Sequence, residues 1–265
     1  MGRVYQATQL AVDRLVAVKI LPSAMTANRA YIERFLQEVR LLGKLEHPNI
    51  VTVFDAGEDG GCYYLAMSYV DGETIDQRLK RAGPFAEREA LRIARIVARA
   101  LDYAWEQHQV FHRDLKPANI MLDRKGEPKL LDLGLAKSAA EDVSLTVSGL
   151  IVGTPQYMSP EQALGKPPLD FRTDVYSLGA TLYHMLTGSP PYGGTSVVEI
   201  LTQHVTAPLP PPRERNPQVT EACAHLLEVM MAKDRDQRHG SWLEVIADID
   251  RVIEDAHPSA ARPTM

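Results

Sequence analysis

Apolar positions change their period along this chain. Residues 4–21 and 50–70 read as strands, with "RLVAVKIL" and "NIVTVFDAG" rich in Val, Ile and Leu. "EDGG" at 58–61, followed by "CYYLAMSYV", reads as a hairpin turn into another strand. Between these runs Ile32, Phe35, Val39 and Leu42 recur at steps of three and four, which predicts a helix over 28–45. After residue 84 the helical period takes over. "AEREALRIARIVARALDYAWEQH" has the pattern of one long helix. "TDVYSLGATLYHMLTG" is apolar nearly all round, so it predicts a helix inside a core, ended by Gly188. "TSVVEILTQHV", "EACAHLLEVMMAKD" and "WLEVIADIDRVIED" predict three more helices. "APLPPPRERNP" reads as a Pro-rich loop, and "AHPSAARPTM" as a frayed tail. The pattern is α+β: a small β-rich part, then a larger helical one, without internal repeats.

One segment fits neither period. "VFHRDLKPANIMLD", residues 110–123, packs His112, Arg113, Asp114, Lys116 and Asn119 between Val110 and Phe111 on one side and Ile120, Met121 and Leu122 on the other. A surface loop needs no such anchors, and a core strand does not tolerate so many polar groups.

Composition narrows the classes. The 265 residues are 45% hydrophobic and 24% charged, ordinary for a globular chain of one large domain or two lobes. A net charge of −5 argues against a nucleic-acid binder. Cys62 and Cys223 are far apart and lack the spacing of a zinc site or disulfide framework; they read as small half-buried apolar residues in a reducing cytoplasm. No apolar run approaches a membrane span, and the first residues carry no signal or myristoylation pattern, Gln6 standing where Ser or Thr is required.

The chemistry lies in spacing. Pro117 forbids a regular helix between Asp114 and Asn119. Their separation matches H-R-D-L-x-x-x-N, in which the Asp accepts a proton and the Asn ligates a metal. Asp132, at the end of a strand-like "KLL" and before Gly134, is well placed to hold Mg2+. Lys19 ends "VAVK" among valines and needs an anionic partner. Glu38, on the apolar face of its helix with Phe35 and Leu42, is the expected one.

In this order, "AVK" at 17–19, Glu38, "HRDLKPAN" at 112–119, "DLG" at 132–134, "GTPQYMSPE" at 153–161, "DVYSLG" at 174–179 and Arg238 resemble the eukaryotic-type protein kinase family, especially bacterial Ser/Thr kinases of that type. The resemblance runs from residue 2 to about 254. It implies a bilobal fold, with a small antiparallel β-sheet lobe carrying one helix (1–67), a hinge (68–72), a mainly helical lobe (73–254) and a tail (255–265). It implies transfer of the ATP γ-phosphate to Ser or Thr hydroxyls of proteins. Asp114 would orient and deprotonate the acceptor, Lys116 would neutralise the moving phosphoryl group, and Asn119 and Asp132 would hold Mg2+. Lys19, positioned by Glu38, would contact the α/β-phosphates. Gly2 would belong to the Gly-rich loop. Val4, Ala17 and Met121 would enclose adenine, with Met67 as gatekeeper and Ser68 to Val70 as the backbone that reads it. Thr154 would help define the acceptor site. His112, Arg113, Glu161, Asp174 and Arg238 match structural positions, Glu161 and Arg238 as an ion pair. Thr146 and Ser148 sit where related bacterial kinases carry activating threonines; a phosphate there would give Arg113 a bidentate partner.

There are three departures. Leu133 replaces the usual Phe, Ser68 replaces a common hinge acid, and the first two glycines of the Gly-rich loop are not in the sequence. With them goes a strand expected to lie between that of Val4 and that of Lys19, which predicts unpaired backbone groups inside the sheet. The expectation is a sequence cut short at its start. A kinase-like interaction module is the rival reading, because of the missing glycines. A small-molecule kinase of the aminoglycoside type is disfavoured by "GTPQYMSPE". The resemblance also allows a kinase-domain homodimer, and the chain reads as cytoplasmic.

Overall fold

The computed structural model of the chain describes residues 3–21, 29–133 and 154–256. Strands β1 (Arg3–Gln9), β2 (Arg14–Ile20), β3 (Val53–Asp59) and β4 (Cys62–Ser68) form one antiparallel sheet in the order β1-β2-β4-β3. The turn from β3 to β4 is made by Gly60 and Gly61, both at positive φ (55° and 79°), as the right-handed twist of a two-residue hairpin requires. Helix α1 (Arg29–Leu42) covers the sheet: Ile32, Phe35 and Val39 pack with Leu21 and Leu65. Its apolar spacing was legible, though it is shorter than the predicted 28–45.

The register corrects the expectation of unpaired backbone groups inside the sheet. Val4 pairs directly with Lys19 and Ala7 with Val16, so the two strands are neighbours with no gap in the sheet. The four-residue turn between Gln9 and Arg14 leaves room only for an adjacent antiparallel return.

Residues 69–71 lead into the larger lobe, which opens with β5 (Gly72–Thr74) and α2 (Ile75–Ala82). The sequence reading missed α2. Only Ile75 and Leu79 are buried in it, and a capping box between Thr74 and Gln77 starts it. Helix α3 (Glu87–His108) follows, then β6 (Ile120–Asp123) and β7 (Pro128–Leu130), which complete a second antiparallel sheet in the order β5-β6-β7. The remaining helices are α4 (Pro160–Ala163), α5 (Arg172–Thr187), α6 (Val197–Thr206), α7 (Pro212–Arg215), α8 (Glu221–Met230) and α9 (Trp242–Ala256). Because α9 runs through Ala256, Asp255 belongs to the helix rather than to a tail; residues 257–265 lie outside the described ones.

α5 is the axis of this lobe, buried almost continuously from Thr173 to Leu186. A Cβ at Gly179 would sit 2.8 Å from Met231 Cγ and 2.9 Å from Met230 Cβ, so the absent side chain permits the close approach of α8. Trp242 at the start of α9 is 1% exposed, and Cys223 is fully buried whereas Cys62 is exposed. The lobes also touch away from the 69–71 connection: the Val51 amide donates to Leu130 O at 3.0 Å and the Leu130 amide to Asn49 O at 2.7 Å.

Candidate active site

The cleft is built from both lobes. On the sheet side, Val4, Lys19 and Leu65 are consecutive register partners, as are Ala17 and Met67. Partners opposite each other share a face, and Ala17 and Lys19, two apart, share it too. Met67 is buried, Val70 and Met121 are half-buried, and the Ser68 amide is committed to Thr52 O at 2.9 Å.

From the other lobe, residues 110–119 enter as an irregular loop with anchored ends. Phe111 meets the Trp105 ring edge-on at 6.1 Å, and Ile120 and Leu122 are buried in the main core. Inside the loop the backbone is held by a single carboxylate. Asp174, fully buried on α5, accepts the amides of His112 and Arg113, the latter at 2.8 Å. Burial pushes the Asp174 carboxyl up from the usual range, against the pull of His112 and Arg113. The His112 ring takes the Asp114 amide on Nδ1 at 3.3 Å and faces Leu131 O with Nε2 at 2.9 Å. Nδ1 is therefore the acceptor and Nε2 carries the hydrogen. One imidazole thus fixes the position of Asp114 relative to Asp132. Arg113 stands at φ 67° and Asp132 at φ 52°, conformations a non-glycine residue adopts only when its surroundings impose them.

The side chains converge. Lys116 Nζ donates to Asp114 Oδ2 at 2.6 Å and to Thr154 Oγ1 at 2.7 Å. Asn119 Nδ2 donates to Asp114 O at 2.8 Å and to its Oδ2 at 3.2 Å, so Asn119 Oδ1 is the atom left for a cation. Across the cleft Lys19 Nζ donates to Asp132 Oδ2 at 2.7 Å. Among the described residues this is an ion pair of Lys19 that the sequence did not indicate. The turn at Asp132 brings its carboxylate under β2, while Glu38 stays half-buried on α1.

Beneath the loop, Arg238 binds Glu161 through two bonds of 2.7 and 2.8 Å. Burial raises the Glu161 carboxyl, but the Arg238 fork and the Thr173 hydroxyl outweigh it and hold the group below the usual carboxylate range. Sequence reasoning missed Gln162, whose Nε2 donates to Arg113 O at 2.8 Å. Its signal was present: Ser159 and Gln162 form the S-x-x-Q capping box of α4.

The model for the protein kinase domain matches residues 1–248. The chain belongs to the protein kinase family. It is 39% identical over 267 residues to the serine/threonine-protein kinase PknB of Mycolicibacterium smegmatis, covering 99% of this chain and 42% of that protein. It is 36% identical to the serine/threonine-protein kinase PrkC of Bacillus subtilis, covering 96% and 39%. The chain thus spans less than half the length of these curated relatives. Its structure resembles the PknI kinase domain of Mycobacterium tuberculosis with a TM-score of 0.74 at 29% identity, covering 95% of this chain and 91% of that one. The antiparallel sheet lobe and helical lobe are those of a protein kinase, as the sequence led one to expect.

In kinase terms, Leu133, in place of Phe, is 2% exposed and belongs to the core that includes Leu42 at the end of α1. Gly2, Thr146 and Ser148 lie outside the described residues. Among the described residues no helix is long and apolar enough to cross a membrane.

Proposed function

We propose that this chain transfers the γ-phosphate of ATP to Ser or Thr hydroxyls of proteins. The observation that carries the reading is the convergence of Asp114, Lys116 and Thr154 within single hydrogen bonds. Asp114 accepts the proton of the acceptor hydroxyl. Lys116 is only 3% exposed, which makes its charge effective on the phosphoryl group in transit. Thr154 marks the acceptor side of that lysine. Lys19, held in the cleft by Asp132, is the cation available for the α/β-phosphates. Val4, Ala17, Met67 and Met121 take adenine, with the backbone of 68–70 reading its edge. The family uses ATP with a divalent cation. The Asp132 carboxylate and Asn119 Oδ1 are hard oxygen donors that fit Mg2+, which when bound supplies charge neutralisation at the phosphates.

Incubation with Mg·ATP and dephosphorylated casein, followed by phosphoamino-acid analysis, tests the reading. Phosphoserine or phosphothreonine supports it, and absence of both in an N-terminally extended chain as well overturns it. The same reading places self-activation at Thr146 and Ser148. Peptide mapping should find phosphate there, and the Thr146→Ala, Ser148→Ala double variant should lose activity toward casein. Full activity in that variant removes the switch from these residues.

A further inference from the structure

His204 is completely buried on α6, the helix that packs against the Pro155–Tyr157 turn following Thr154. Its Nδ1 lies 2.8 Å from Tyr176 Oη. Burial lifts the Tyr176 phenol well above its usual range, so that hydroxyl keeps its proton, and it donates to Nδ1 in the tautomer that suits the neighbouring Gln156 backbone acceptor. The imidazole hydrogen is then on Nε2. Nε2 is buried without a formed hydrogen bond. Burial and then Lys233 pull the imidazole down to about 4 and keep it neutral, against a smaller raising pull from the Gln156 backbone, which lies beside the ring without reaching hydrogen-bond geometry.

Gln156 belongs to the 3-10 turn Pro155–Tyr157, directly after Thr154. The other flank of that turn is held as well: Tyr157 Oη lies 2.7 Å from His184 Nδ1. His204 itself cannot tip away. The Tyr192 ring packs edge-on at 4.8 Å, Lys233 Nζ donates to Tyr192 Oη and to His204 O at 2.8 Å each, and the Arg238 guanidinium sits 4.9 Å above the Tyr176 ring. A buried N–H short of an acceptor is costly to the fold. The socket holds this N–H on a helix that packs against the turn beside the acceptor threonine.

We propose that His204 is a positioning residue for protein-substrate binding, its Nε2–H being the donor on which the Pro155–Tyr157 turn settles and so sets Thr154 against Lys116 when an acceptor segment occupies the groove. The inference rests on the kinase reading above. Three variants separate its parts. His204→Gln keeps a donor near the place of Nε2, His204→Asn keeps a partner for Tyr176 near Nδ1, and His204→Phe keeps only the ring.

With casein as substrate, KM for casein should rise on the order of tenfold in the Asn and Phe variants, as for one lost hydrogen bond, and stay near wild type in the Gln variant. KM for ATP should be unchanged in all three. Hydrogen exchange of the amides from 154 to 163 should quicken in the Asn and Phe variants alone. A KM that follows melting temperature across the series, rescue by Asn instead of Gln, or unaltered exchange overturns the proposal. If wild type phosphorylates no protein, the kinase reading fails, and the exchange pattern alone then decides the role of His204.

Discussion

Two acid–base pairs, Lys19 with Asp132 and Arg238 with Glu161, have similar bond lengths and opposite surroundings. Lys19 and Asp132 come from different lobes, are 21% and 27% exposed, and meet through a single bond of 2.7 Å. Arg238 and Glu161 are 0% and 9% exposed. There the fork is bidentate, Thr173 adds a bond to Glu161, and Arg238 also donates to Ala232 O and Arg172 O. The buried pair has spent its hydrogen-bonding capacity on the fold. The cleft pair keeps lone pairs and hydrogens to offer a nucleotide. The contrast teaches that a charge pair is a foundation or a tool according to how many of its groups remain uncommitted.

Asp114→Asn should produce the largest change on the cleft side. Phosphoryl transfer should fall by about two to four orders of magnitude, as for a lost general base, with nucleotide affinity and melting temperature near wild type. A variant turning over at a normal rate would remove Asp114 from the chemistry.

Arg238→Ala tests the foundation. It leaves Glu161 buried without its partner, which costs roughly 3–5 kcal/mol of stability, measured as a lower midpoint in urea unfolding. If the midpoint hardly moves, the pair is not a foundation.

A smaller effect distinguishes the pairs by pH. The Glu161 carboxyl is held below its unfolded value, so its contribution is complete above pH ~4.3 and is lost as pH falls through the folded pKa. Wild type should therefore lose stability in acid more steeply than Glu161→Gln. Parallel curves from pH 6 down to 3 would mean that the carboxylate is not what Arg238 stabilises.

The smallest stability effect belongs to Lys19→Met. A partly exposed pair contributes about 0–1 kcal/mol, so the urea midpoint should scarcely shift while ATP-dependent transfer is lost. A large drop in stability would make the cleft pair a foundation too.

Much of this was legible from one sequence because local chemistry encodes it. The spacing of Asp114 and Asn119 around Pro117 fixes an irregular loop with two oxygen-bearing side chains, wherever that loop lies in space. The three- and four-residue steps of Ile32, Phe35, Val39 and Leu42 require a helix with one buried face. Helix α2 escaped because its eight residues bury only Ile75 and Leu79, too few to show a period.

What the tertiary structure alone decided was which partner each charged or polar group meets. Lys19 needed an anion, and sequence spacing offered Glu38; the turn at Asp132, 113 residues away, supplies a bond that the sequence did not indicate. Whether β1 has β2 as its neighbour depended on register, which pairs Val4 with Lys19. His204 looked like any histidine on a helix until α5, α6 and the turn at Gln156 enclosed it. Periodicity is written in residues a few positions apart, so the chain carries it in any conformation. Partnership depends on the packing of segments far apart in sequence, and it exists only once the chain has folded.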